Sequence, residues 1–312
     1  MPLRITIAGD IGSGKSTVAK RLAELAGVEP LSTGGIQRQL AQKRGVSVLE
    51  LNRLAENDAS IDREIDSYLA RLSQDTIVVE SRMAWHFVPD TLKVYLYISD
   101  VAAARRIVGA QRIDEGYQTI AEATQPILDR RKSEILRFKK YYDVDIDDLR
   151  NYDLVVDTTY ASIDDVVAQV IKPHDFQEKP ACLMDPRNLV PTRSGKPSGA
   201  VEESVRTKGF DLEKPIATLY VDHVFYVVDG HARAAAALRT GTKFVTCKIK
   251  ASNDEAYTGD WTARQHVSKA IHPALISAWQ EMVGFRYEGE MWKGRAASDR
   301  RPVTNNKPSP SS

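Results

Sequence analysis

Short apolar runs alternate with helical patterns along the first half of the chain. Four runs have the length and continuous hydrophobicity of buried strands, and they lie at residues 3–8, 75–81, 91–99 and 152–159. Apolar positions three and four residues apart, with few helix breakers, predict helices at 17–26, 35–72, 101–142 and 163–171. Because apolar strands alternate with helices, residues 1–171 are predicted to form an α/β domain, a parallel sheet with helices on both faces.

The pattern changes at residue 172. Residues 172–198 are rich in proline, glycine and polar residues, so we interpret them as a linker. Residues 199–292 mix short strand patterns with helical ones and predict a second, smaller α+β domain that ends in helices. The last segment, 293–312, is basic and lacks core residues, which predicts a disordered tail.

Composition narrows the class of protein. The chain has 312 residues, enough for two domains, and its 42% hydrophobic and 27% charged residues are typical of a soluble globular protein. A formal net charge of +1 gives the chain no overall electrostatic attraction to nucleic acid, so any contact with nucleic acid would need a local patch of basic residues. No apolar run approaches the ~20 residues that span a bilayer, and no signal peptide is recognisable. Cys182 and Cys247 have no metal or disulfide spacing, which predicts a reducing, cytoplasmic setting.

A glycine-rich stretch, GDIGSGKS at residues 9–16, separates the first predicted strand from the first predicted helix. It matches G-x-x-x-x-G-K-S/T, in which glycines let backbone N–H groups point at phosphate oxygens and the helix adds its positive end. In this motif Lys15 reaches the β- and γ-phosphates and the Ser16 hydroxyl ligates Mg²⁺. The stretch therefore predicts a P-loop NTPase fold and an ATP–Mg²⁺ site formed by Gly9, Asp10, Gly12, Ser13, Gly14, Lys15, Ser16 and Thr17.

Further motifs follow the phosphate loop. They read STGGIQRQLAQKRG at 32–45, VVESRMAW at 78–85 and RRKSEILRFKKYYDVDIDDL at 130–149. With the loop, they make residues 1–171 resemble the cytidylate kinases, especially the archaeal type, among the nucleoside-monophosphate kinases. The resemblance implies ATP-dependent phosphoryl transfer, in which positioning and charge neutralisation carry the rate.

The same resemblance implies roles for individual side chains. Arg38 and Arg82 would bind the acceptor phosphate, because a planar guanidinium can donate two parallel hydrogen bonds to it. Glu80, at the end of a strand, would hold Mg²⁺ or accept a proton from an acceptor hydroxyl. Arginines of the lid, and of the helix that follows it, would close on the transferred phosphoryl group; they are Arg106, Arg112, Arg130 and Arg137. Of these, Arg112 and Arg130 would be catalytic together with Lys15 and Glu80. Arg137 would bind the substrate.

Two positions depart from the family pattern. Bacterial cytidylate kinases carry an acidic residue where Gly35 stands and an aromatic residue where Gln37 stands. Those groups help to fix the sugar and base of a free mononucleotide. Their loss favours an acceptor other than a small free nucleotide.

The second predicted domain has its own informative stretch, YVVDGHARAAAALRTGTKFVTCKI at 226–249. With SVRTKGFDLEKPIATLY upstream, it resembles the ParB/sulfiredoxin superfamily over about residues 185–250, although the cysteine of sulfiredoxin is absent. The resemblance implies binding of nucleotide phosphates or DNA at a strand-to-helix turn. The residues of that site would be Asp229, Gly230, His231 and Arg233.

These features favour one function, a kinase acting on DNA, and leave two alternatives open. A cytidylate-kinase-like domain joined to a ParB-like one resembles the bacteriophage kinases that phosphorylate the hydroxymethyl group of 5-hydroxymethyluracil in DNA, during thymidine hypermodification in the host cytoplasm. That function would make DNA with a modified pyrimidine the partner, and its target base would be flipped out of the duplex. The first alternative is a CMP or dCMP kinase acting on a free nucleotide. The second is a nucleotide-dependent, ParB-like DNA-binding protein.

Overall fold

A computed structural model of the chain describes residues 3–46, 51, 59–109, 119–173, 180–195, 198–288 and 292. Its first half contains β1 (Arg4–Gly9), α1 (Lys15–Ala26), β2 (Leu31–Ser32), α2 (Thr33–Lys43), α3 (Ala59–Ala70), β3 (Ile77–Glu80), α4 (Ala84–Phe87), β4 (Leu92–Tyr97), α5 (Asp100–Gly109), α6 (Ile120–Tyr142), β5 (Leu154–Asp157) and α7 (Ile163–Ile171). The second half contains β6 (Ala181–Met184), β7 (Leu189–Pro191), α8 (Gly199–Lys208), β8 (Ile216–Val221), β9 (Val224–Asp229), α9 (His231–Thr240), β10 (Val245–Ser252), β11 (Ala256–Thr258), β12 (Trp261–Thr262), α10 (Ala263–Ala270) and α11 (Pro273–Val283).

Ten of the described strands form one sheet in the order β2-β3-β1-β4-β5-β6-β10-β8-β9-β7. The first six in this order are parallel to one another, and β10 pairs antiparallel to β6. The predicted α/β fold with a mostly parallel sheet is therefore confirmed. Among the described residues, no helix is both long and apolar enough to cross a bilayer.

The segment predicted as a linker is structured where it is described. Strands β6 and β7 lie within it, and β6 pairs with β5 on one side and β10 on the other. Cys182 lies opposite Cys247 in the β6–β10 pair, where both are buried thiols whose pKa burial raises. The sequence pattern missed these strands because each is only three or four residues long, and a proline precedes β6 and ends β7. The predicted tail, 293–312, lies outside the described residues.

The two faces of the sheet have different covers. Side chains alternate along β4, so Val94 and Leu96 face a core shared with α1 and α7, while Tyr95 and Tyr97 face the opposite side. On that side Tyr97 packs against Phe225 of β9 with ring centroids 5.4 Å apart. Four strands intervene in the sheet order, and neighbouring strands lie about 4.8 Å apart, so a flat sheet would hold β4 and β9 more than ~20 Å apart.

The sheet therefore curves until its C-terminal strands fold over the N-terminal strands. Helices lie on both faces, as predicted: α1 and α7 pack on one face, and α6 shares the other with the β8–β9 hairpin. One hydrophobic core runs through both halves, from Ala8 and Val155 to Leu219 and Phe225. Because the two halves share this core, residues 172–198 do not separate two independently packed domains, as the predicted linker implied.

Candidate active site

The phosphate loop joins the end of β1 to the start of α1. Gly9, Gly12 and Gly14 have φ values of 142°, 82° and 83°, in the region that favours glycine. A Cβ atom at Gly9 would also collide with the backbone of Leu96 on β4. The Lys15 ammonium donates a hydrogen bond to the carbonyl oxygen of Asp10 at 2.6 Å, so it lies across the loop. This is a backbone cradle of the kind that surrounds phosphate oxygens.

Two oxygen ligands suited to magnesium meet beside the loop. The Ser16 hydroxyl, on the first turn of α1, donates to the Glu80 carboxylate at the end of β3, with an oxygen–oxygen distance of 3.1 Å. Mg²⁺ prefers hard oxygen ligands and is commonly held by one or two protein groups together with substrate phosphates. The structure thus brings together the two side chains that were predicted to hold the metal. Bound there, Mg²⁺ would neutralise charge on the ATP phosphates.

The Asp10 side chain lies in the protein interior, at 3% exposure. Its carboxylate accepts hydrogen bonds from the Tyr95 hydroxyl at 2.9 Å and the Ile98 N–H at 3.1 Å. Arg131 of α6 forms an ion pair with it. A nucleotide contact by Asp10 would therefore come from its backbone. The sequence did not single out Arg131, which lies next to the predicted catalytic Arg130.

A cleft of about 390 Å³ opens beside the loop, a volume within the usual range of ~300–1,000 Å³ for ligand sites. Lys15 and Glu80 contribute to it from the donor side, and Arg82 contributes from the bend two residues after β3. Arg82 also donates to the carbonyl oxygen of Gly9 and pairs with Glu134 of α6 at 3.1 Å. The other lining residues are Ser32, Thr33, Gly34, Gln37, Ile65, Asp66, Leu69, Ser81, Met83, Phe138 and Tyr142.

Three side chains in this cleft were missed by sequence reasoning. The Tyr142 hydroxyl donates to the carboxylate of Asp66 at 2.9 Å, which links α6 to α3. The rings of Phe138 and Tyr142 lie 6.1 Å apart on successive turns of α6. The four-residue spacing of these aromatics is visible in the sequence, but nothing there indicates that α3 supplies the facing carboxylate.

The predicted arginines have different surroundings. Arg38 is an exposed residue of α2, with its guanidinium beside Gly34 and Gly35. Arg106 donates to the carbonyl oxygens of Gly12 and Thr159, each at 3.3 Å, so it braces the loop from outside. Burial lowers the pKa of Arg106. Residue Arg112 and the side chains of Arg130 and Arg137 lie outside the described part of the chain, so their roles stay predictions.

The turn predicted as a second phosphate or DNA site lies at the start of α9. Gly230 caps the helix with a φ of 88°, and Arg233 donates to the Pro215 carbonyl oxygen at 3.2 Å and lies 3.8 Å from Asp229. His231 is 3% exposed and packs edge-on against Trp279. Burial, with the nearby charge of Arg193, lowers the pKa of His231 to about 4. These contacts hold the fold together, and the phosphate or DNA role stays a prediction.

Comparison with known proteins places the site in a family. The model of the cytidylate kinase-like family matches residues 4–160. The cytidylate kinase of Natronomonas pharaonis is 41% identical over 168 residues, covering 53% of this chain and 86% of the relative. That of Sulfolobus acidocaldarius is 38% identical over 169 residues, covering 53% and 90%.

A shikimate kinase structure from Acinetobacter baumannii in complex with shikimate is 16% identical, with a TM-score of 0.37, and covers 54% of this chain and 91% of that one. At that level it has no bearing on substrate. The residues after 160, including the ParB-like stretch, lie outside the family match. The matched half holds the phosphate loop, the Ser16–Glu80 pair and the cleft. The chain therefore belongs to the cytidylate kinase-like family and is an ATP-dependent kinase with ATP and Mg²⁺ as its cofactors.

Proposed function

We propose that the protein transfers the γ-phosphoryl group of ATP to the phosphate of CMP or dCMP. The observation that carries the proposal is a cleft of about 390 Å³ that Lys15 and Glu80 line on the donor side and Arg82 on the acceptor side. A mononucleotide fits a space of this size. The curated relatives named cytidylate kinase support the same acceptor.

The groups around the cleft suit an in-line transfer between two phosphates. An oxygen of the acceptor phosphate attacks the γ-phosphorus of ATP, and the bond from that phosphorus to the β–γ bridging oxygen breaks, which yields ADP and a nucleoside diphosphate. Lys15 and Arg82 supply positive charge on the two sides of the transferred group. Such charge accounts for most of the catalysis in this reaction class.

The far end of the cleft suits a cytosine base. The Asp66 carboxylate can accept a hydrogen bond from the exocyclic amino group of cytosine, whereas uracil presents a carbonyl oxygen there, which repels it. The rings of Phe138 and Tyr142 offer surfaces for stacking. A carboxylate and rings thus stand in the cleft on α3 and α6, although Gly35 and Gln37 supply neither. The lack of a carboxylate and an aromatic ring on α2 is therefore no argument against a free nucleotide as the acceptor.

A base in DNA is the second candidate acceptor. The observation in its favour is the second half of the chain, since residues 161–312 lie outside the family match and carry the ParB-like stretch. A flipped 5-hydroxymethyluracil would enter the same cleft, with Glu80 placed to accept the hydroxyl proton. This acceptor does not use the Asp66 carboxylate for recognition.

A competition assay separates the two acceptors. The full chain receives labelled ATP and Mg²⁺ with CMP, dCMP, UMP and DNA containing 5-hydroxymethyluracil in one mixture. We expect label on CMP or dCMP, with a kcat/KM at least about tenfold above that for UMP. Label on DNA alone would overturn the proposal and establish the second candidate.

Asp66→Asn tests the base-recognition step. We expect this variant to lose most of the preference for CMP over UMP, because an amide can donate to the uracil oxygen. Glu64→Gln is the matched control, since Glu64 lies on the same helix, pairs with Arg44 at 2.6 Å and does not line the cleft. If Asp66→Asn kept the same preference for CMP over UMP, the base would not bind at this end of the cleft.

A further inference from the structure

A tight turn from the second half of the chain reaches the phosphate loop. Asp222 and His223 form the two-residue connection between β8 and β9, and both have positive φ, 49° and 67°. Two-residue hairpins of this backbone form strongly favour glycine at the second position. Histidine is uncommon at such a φ, so we looked for side-chain contacts that account for its presence at this position.

Residue His223 is 2% exposed, and each of its ring nitrogens has a partner. Its Nε2 atom lies 3.0 Å from the carbonyl oxygen of Ile98 and 3.3 Å from the carboxylate of Asp10. Because both partners accept, Nε2 carries a proton. Nδ1 lies 2.8 Å from the hydroxyl of Tyr220, which donates to it in the neutral ring. The ring also packs against Tyr97, with centroids 4.6 Å apart.

Asp10 links this contact to the phosphate-binding groups. Its carbonyl oxygen accepts from the Lys15 ammonium at 2.6 Å and from the Ser13 hydroxyl at 2.8 Å. Its carboxylate accepts from Tyr95, from Ile98 and from Arg131 of α6, as described above. His223 adds a polar contact from the second half of the chain to this set, because its Nε2 atom bonds the Ile98 carbonyl oxygen and lies 3.3 Å from the Asp10 carboxylate. A rotation of Asp10 would therefore move the backbone that positions Lys15.

We propose that His223 is a positioning residue for ATP, through which the second half of the chain holds the phosphate loop in its binding geometry. The side chain touches Asp10 and not the nucleotide, so its effect is on the loop. His223 lies outside the segment matched by the family, residues 4–160, so this support comes from the part of the chain beyond it. The proposal concerns ATP binding and holds for either acceptor.

Two amide substitutions separate this role from a purely structural one. His223→Asn places an amide near the position of Nδ1, beside Tyr220, but is too short to reach Asp10. His223→Gln can place a donor near the position of Nε2. Asparagine is the better residue at positive φ, so a role in the turn alone predicts that Asn is tolerated better than Gln. The positioning role predicts the opposite order for ATP affinity.

The measurement is Mg²⁺–ATP binding by calorimetry on the full-length variants, with thermal unfolding in the absence of ATP. We expect the Kd for ATP to rise about tenfold in His223→Asn, because the contact with the Asp10 carboxylate is lost, and to stay within about threefold in His223→Gln. The KM for the acceptor should not change. Asp222→Asn is the control, because the Asp222 carboxylate pairs with Arg264 and not with the loop.

A double-mutant cycle with Asp10→Asn closes the test. If the two side chains act through one contact, the loss of ATP affinity in the double variant is smaller than the sum of the single losses. Additive losses, or an ATP Kd unchanged in His223→Asn, overturn the proposal. If His223→Asn does not fold, Tyr220→Phe replaces it, with an expected rise of about threefold in the ATP Kd because the ring loses one anchor. An unchanged Kd there also overturns the proposal.

Discussion

Replacing Phe225 by alanine should destabilise both halves of the chain together. Phe225 is fully buried on β9, and its ring contacts Tyr97 of β4 at 5.4 Å and Tyr220 of β8 at 5.0 Å between centroids. Removing a buried phenylalanine costs about 3–5 kcal/mol of unfolding free energy, from lost burial and the cavity left behind. That is a large part of the ~5–15 kcal/mol that stabilises a typical domain.

The assay is urea unfolding followed by tryptophan fluorescence in two single-tryptophan versions. One keeps Trp85, buried in the kinase half, and the other keeps Trp279, buried in the second half. Because one core joins the halves, we expect Phe225→Ala to lower the midpoint at both tryptophans by the same amount. Leu212→Ala is the control, since Leu212 is 45% exposed and should change the free energy by less than about 0.5 kcal/mol.

A midpoint that falls only at Trp279 would refute this reasoning. Such a result would mean that the kinase half unfolds as a separate unit and that the curved sheet does not couple the two. The predicted two-domain organisation would then be restored.

Two further predictions concern single side chains. Lys15→Ala should abolish phosphoryl transfer to every acceptor, because the ammonium supplies charge that the transition state needs; measurable turnover in a radiolabel assay would place the donor site elsewhere. His231 should make the fold acid-sensitive, because its pKa is about 4 when folded and about 6.5 when unfolded, so the unfolded chain binds more protons between these values. The free energy of unfolding should therefore fall by up to about 3 kcal/mol as the pH drops from 6.5 to 4, and His231→Gln should remove that loss. If urea titrations gave both proteins the same dependence of unfolding free energy on pH, the prediction would be contradicted.

Much of the fold follows from local pattern. The apolar runs at 75–81, 91–99 and 152–159 contain β3, β4 and β5, and the run at 3–8 covers all of β1 except Gly9, because buried parallel strands are hydrophobic on both faces. The boundary of α1 also follows from glycines at its two ends, with Gly14 as N-cap and Gly27 as C-cap. These features depend on neighbouring residues, which the sequence displays directly.

Features that depend on distant pairing were beyond the sequence. Nothing in the short run at β6 shows that it joins β5 to β10, and this pairing is what makes one sheet of two predicted domains. The same limit applies in the site. The Ser16–Glu80 pair follows from motif positions, whereas the Asp66–Tyr142 and Asp10–His223 contacts each join residues more than 70 positions apart with no motif to link them.

The most direct test of the account is product identification with the wild-type chain, ATP, Mg²⁺ and CMP. If the cleft holds both phosphates as proposed, CDP and ADP should appear in equal amounts, and neither should form without CMP above a slow background. ADP formation without CDP, or no turnover of CMP while DNA is labelled, would contradict it.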